Sequence, residues 1–127
     1  MLILALLVVL AAQPVPQATA QPDWREIGLS VNGRQTSYDA ASVVRVGPVS
    51  RVRMRFVEAE TYGISTVELR CAAYEGRSVG AVTYAPNGRE VSRNEMVTPF
   101  RAIRIGSFLD TLAQAICGAA QAPAVAQ

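Results

Sequence analysis

Residues 49–57 (VSRVRMRFV) alternate without a break. Val52, Met54 and Phe56 fall on one side of an extended chain, and Arg51, Arg53 and Arg55 fall on the other. Successive side chains of a strand point to opposite faces, whereas a helix would spread this pattern around its axis. The run is satisfied as a strand with one face in a core and one in water, which commits the chain to a sheet covered on a single side. Residues 64–73 (ISTVELRCAA) repeat the theme, with Val67, Leu69, Cys71 and Ala73 facing one way and Thr66, Glu68 and Arg70 the other. The short link 58–63 makes the two runs neighbours in an antiparallel pair. A register with Arg53 opposite Glu68 sets Met54 against Val67 and Val52 against Leu69, so that both faces agree.

The remaining elements follow from shorter signals. Residues 23–29 (DWREIGL) read as a first strand anchored by Trp24, and Asn32-Gly33 is a hairpin signal because both positions of such a turn need positive φ. Residues 35–38 form a second strand, Asp39 is suited to cap one helical turn over 39–42, and 46–49 form a turn. Residues 75–77 (EGR) read as a tight turn into a strand over 78–84. Asn87-Gly88 then leads to a polar edge strand, Glu90–Asn94. Residues 95–104 carry no pattern that assigns them. Ser107 is an N-cap with Asp110 three residues on, and Ile105, Leu109, Leu112 and Ile116 form an apolar stripe with Cys117 at its edge. Gly118 is placed to stop that helix. These pieces predict an α+β domain: a single antiparallel β-sheet of about six strands with a C-terminal α-helix packed on its apolar face.

The first twenty residues belong to a different kind of segment. Residues 2–12 (LILALLVVLAA) are an apolar run, and Ala18-Thr19-Ala20 has small residues where a signal peptidase needs them. The run is shorter than the roughly 20 residues that cross a bilayer. The expected division is a signal peptide over 1–20, a domain over 21–118 and a disordered tail over 119–127, with no transmembrane segment after cleavage. The expected destination is the periplasm or the medium, with association at the cell surface as a further option. All twelve cationic residues are Arg, and the net charge of +2 argues against a general nucleic-acid binder.

In an exported chain two cysteines normally pair, and two allow one connectivity only. Cys71 is expected on the inward face of a strand and Cys117 at the edge of the inward face of the helix, so a bond between them pins helix to sheet. Closing a loop of about 46 residues stabilises by roughly 4 kcal/mol in the chain-entropy model. Metal binding is not expected from two isolated thiols without any His, nor is redox activity without a C-x-x-C pair.

A set of short motifs, in order, resembles the surface-adhesin protein E family of Gram-negative bacteria. These are Asp23-Trp24 soon after the signal peptide, Tyr38-Asp39-Ala40-Ala41-Ser42, a tyrosine-led strand ending in the first cysteine, a G-x-V-x-Y strand, and an I-x-x-G-S helix start closing on A-I-C. The resemblance spans about residues 23–118. It departs from the family at Arg70, where an acidic residue is common, at Ile105 in place of a proline, and in having no lipidation motif. It implies a curved sheet with its C-terminal helix tied down by a Cys71–Cys117 disulfide. It also implies a binding role toward protein partners.

Enzymatic chemistry finds no support in the residues. Without His or a free thiol, nucleophilic triads of the Ser-His-Asp or Cys-His kind cannot be assembled. Glu58 and Glu60 are expected at a solvated hairpin tip, and Gly76 to Gly80 is no phosphate-binding loop. No catalytic residue, metal site or cofactor is expected. The Arg51/Arg53/Arg55 row is the candidate site: guanidinium groups spaced along one strand face suit sulfated glycan, lipid head group or acidic protein. Tyr62, Tyr74, Tyr84 and Phe100 are expected to pack in the core or on a sheet face. Two functions are carried forward, a non-enzymatic binding domain contacting protein or anionic glycan or lipid at the cell envelope, and a structural envelope-associated protein without a soluble ligand. The edge strand at 90–94 leaves a dimer open.

Overall fold

The computed structural model describes residues 21–29 and 33–118. The expected signal segment, Asn32 of the first hairpin signal and the expected tail lie outside the described residues. The elements run β1 (Trp24–Leu29), β2 (Gln35–Asp39), a 3-10 turn (Ala40–Ser42), β3 (Val44–Val46), β4 (Val49–Val57), β5 (Tyr62–Arg70), β6 (Glu75–Tyr84), β7 (Glu90–Asn94), β8 (Arg101–Ala102) and α1 (Phe108–Cys117). Every pairing is antiparallel, in the order β1-β2-β4-β5-β6-β7, with β3 on β4 and β8 on β6. β5 occupies one edge of β4 along its whole length, so β2 and β3 share the other edge; β7 and β8 share the free edge of β6 in the same way. Eight strand segments therefore fill six positions of an open, curved meander. Among the described residues no helix is long and apolar enough to cross a membrane.

Residues 95–104, unassigned from sequence, continue the edge begun by β7. Thr98 donates its N–H to the Ser78 carbonyl at 2.9 Å, and Ile103 donates to Tyr74 at 3.0 Å. Pro99 has no N–H to give a ladder, and Met96 and Val97 are exposed, so neither periodicity nor burial marks this stretch as strand.

Two expectations about the central strands are corrected. Glu68 stands opposite Arg51 rather than Arg53, with Val52 against Val67 and Met54 against Ser65. The slip is two residues, which keeps every side chain on its expected face; facial pattern alone cannot distinguish such registers. The second concerns where the chain turns. Residues 71–74 form the turn and β6 begins at Glu75, so Ala73 is exposed rather than inward. Gly76 serves packing rather than turning: a Cβ there would sit 3.2 Å from Leu69 Cδ2. Tyr74 takes the positive φ of 54° instead.

One face of the sheet carries the core. Val52, Met54, Leu69 and Leu112 are fully or nearly fully buried, joined by Tyr38, Val67, Tyr74, Ile103, Ala113 and Ile116. Burying an aliphatic side chain of this size contributes roughly 1.5–3 kcal/mol. Phe56 and Phe108 meet edge to face at 5.8 Å. The helix begins as expected, Ser107 Oγ accepting from the Asp110 N–H, and it ends at Gly118, whose φ is 86°. Ile105 is not part of the stripe: it precedes the helix and is exposed, and Phe108 packs against the core. Arg45 donates to the Ile116 carbonyl at 2.8 Å, placing a cation at the negative end of the helix. Cys71, just past β5, is bonded to Cys117, the last helical residue, with Cα atoms 5.5 Å apart.

Asp110, a cap partner by its position in the sequence, is also buried. Its carboxylate accepts from the Gly106 N–H at 2.7 Å, from Gln114, and from the hydroxyl of Tyr74. The Tyr74 hydrogen bond, seconded by the Gly106 N–H, holds the Asp110 carboxyl below its ordinary range. Burial, together with the hydrogen bond to Asp110 and the charge there, pushes the Tyr74 phenol up to about 12.

Candidate ligand-binding face

The opposite face of the sheet is left uncovered by α1 and holds the arginine row, but the three arginines do not share one environment. Arg51 lies directly across from Glu68 and bonds it at 3.1 Å, while Arg77 on β6 bonds the other Glu68 oxygen at 2.7 Å. Glu68 is only 7% exposed. Burial alone would raise its carboxyl, but Arg77 and Arg51 outweigh it and hold the group below the ordinary range.

Arg53 has Thr66 across one ladder, and Asp39 lies one step beyond the Tyr38–Met54 pair across the other. It bonds Asp39 at 2.6 Å. Asp39 is 1% exposed and also accepts from the N–H groups of Asp23 at 2.8 Å and Ala41 at 3.0 Å. Burial again pushes the carboxyl up, and the Asp23 N–H, Arg53 and the Ala41 N–H together bring it below its ordinary value. Asp39 thus caps the 3-10 turn as expected, and it additionally joins β1, β2 and β4.

Arg55 differs from both. Its neighbours across the two ladders are Ser37 and Ile64, neither of them acidic. Its guanidinium lies 4.5 Å over the ring of Trp24, and its Nε is buried without a hydrogen-bond partner. Among the described residues it forms no ion pair. The row therefore presents two arginines already neutralised by carboxylates and one that is not, although the Arg51 and Arg53 side chains remain 56% and 44% exposed.

Around Arg55 the surface opens into a cleft of about 430 Å³, walled by Trp24, Arg53, Val57, Tyr62 and Ile64 and rimmed by Glu58 and Glu60. The rim is the β4–β5 link, closed by a 2.9 Å bond from the Glu58 N–H to the Thr61 carbonyl. Glu58 pairs with Arg34 at 2.8 Å. Tyr62 stacks on Tyr84 with centroids 5.2 Å apart, and Phe100 lies under Arg70 and Arg77 at 3.7 and 4.3 Å. Of the four aromatic residues singled out from sequence, Tyr74 alone belongs to the core. Among the described residues both sulfurs are bonded to each other, and no group of three His, Cys, Asp or Glu side chains converges as a metal site would require.

No protein-family model, curated protein or solved structure matches the chain.

Proposed function

We propose that this chain is an exported, non-enzymatic binding domain of the surface-adhesin E-like kind. It would act in the periplasm, in the medium or at the cell surface, and contact macromolecules through the sheet face that α1 leaves uncovered. The observation that carries this reading is that face itself. It combines exposed arginines, partly exposed aromatic rings and an open cleft, the mix of cation and aromatic surface that recognition sites favour. The motif order described above supports the same reading, and without His or a free thiol no Ser-His-Asp or Cys-His triad can be assembled.

A pull-down of extracellular-matrix and envelope proteins on immobilised protein tests it. Retention that drops when Trp24→Ala and Arg55→Ala are combined is expected; unchanged retention, or none from either source, removes the proposal. A second reading, a structural envelope protein without a soluble ligand, is favoured by the internal pairing of Arg51, Arg77 and Glu68. Fractionation separates the two, because an adhesive role requires accessibility from outside the cell and a structural role does not.

A further inference from the structure

We infer that the cleft over Arg55 is a site for a small monoanion with an apolar body, such as a medium-chain carboxylate. The inference rests on the reading of this face as the binding face and specifies its chemistry. The charge arrangement excludes a polyanion as the best fit. Arg53 is held by Asp39 and Arg34 holds Glu58, so Arg55 is the lining cation that no carboxylate compensates among the described residues. Glu60 on the rim, which forms no ion pair among the described residues, repels a second negative charge placed beyond the first. The Arg55 Nε is buried without a partner, and the guanidinium it belongs to, which no carboxylate holds among the described residues, carries N–H donors in a planar fork that matches one carboxylate. The rest of the wall is apolar or aromatic, with Trp24, Val57, Tyr62 and Ile64 positioned to cover a short hydrocarbon chain. The volume falls within the range of about 300–1,000 Å³ typical of small-ligand sites. Stacking on Trp24 fixes one face of the Arg55 guanidinium, which pre-organises it for an acceptor at its edge.

Trp24 is the sole tryptophan of the chain, so its emission reports the cleft directly. Titrating the purified protein with octanoate, followed both by this emission and by calorimetry, should give saturable binding. Octanol, which lacks the charge, should bind about tenfold or more weakly, the usual effect of losing a charge-assisted hydrogen bond. Arg55→Met should weaken octanoate by a similar factor while leaving the thermal transition in place. Arg51→Ala, at the far end of the row, should leave it unchanged. The inference is overturned if neither emission nor heat shows saturable octanoate binding, or if octanol binds as well. It is overturned equally if Arg51→Ala and Arg55→Met have the same effect, or if anionic phospholipid vesicles bind and octanoate does not. Octanoate binding without retention of any protein partner would remove the macromolecular reading and keep this one; the reverse would do the opposite.

Discussion

The two faces of the sheet are drawn from alternate residues of the same strands, yet they are held together differently. On the helix side, Val52, Met54, Leu69 and Leu112 exclude water, and the polar pair there, Tyr74 and Asp110, is closed off with its partners. On the other side, Glu68 and Asp39 are as buried as core residues, but Glu68 is flanked by Arg51 and Arg77 and Asp39 by Arg53, whose outer ends reach water. The comparison shows how a small sheet can leave one face without a covering layer. The long arginine stems shield that face while their charges stay hydrated, so a second helix is unnecessary. Within the row on the uncovered face, Arg55 is the arginine whose charge no carboxylate meets among the described residues.

The sharpest way to break this contrast is to remove the link that keeps the helix on its face. Replacing both Cys71 and Cys117 by Ser is expected to cost up to about 4 kcal/mol, read as a lower urea midpoint with a steeper slope, because the uncrosslinked unfolded chain exposes more surface. If the midpoint does not move, apolar packing alone holds α1, and the covered face owes little to its covalent tie. A smaller effect should come from the buried phenol. Because the Tyr74 value is raised in the folded chain, its contribution is fully present below about 10 and is lost as the pH climbs toward about 12. A shift of that size corresponds to roughly 2–3 kcal/mol, and Tyr74→Phe should abolish that part of the alkaline loss. An identical alkaline profile in the variant would place the sensitivity elsewhere. The smallest effect is expected on the uncovered face. Arg51→Ala should lower stability by less than about 1 kcal/mol, since its guanidinium is more than half exposed and Glu68 keeps Arg77. A loss of 2 kcal/mol or more would mean that the charged face is as tightly coupled to folding as the apolar one.

Much of this fold is legible because its signals are local. The period-two runs of β4 and β5 assign both strands and both faces, and the second Asn-Gly pair marks the β6–β7 turn, where Gly88 takes a φ of 86°. Ser107 and Gly118 bracket the helix. What escaped was non-local or lacked a repeating pattern. The β4–β5 register admits a two-residue slip that leaves facial pattern intact. The edge segment at 101–102 is recognisable only through its partner β6, and Gly76 looks like a turn residue until Leu69 is placed against it.

The candidate site divides the same way. Sequence alone places Arg51, Arg53 and Arg55 in a row on one face, because alternation is a property of the backbone. It also sets Cys71 and Cys117 near each other through the faces of strand and helix. Only the tertiary structure decides which arginine remains available. Asp39, read as a cap, comes alongside Arg53 because β2 is the neighbour of β4. Glu68 meets Arg51 because of the true register, and Arg55 is left between Ser37 and Ile64 above Trp24. Charge compensation acts across strands that are distant in sequence, and so it is fixed only when the strands are paired.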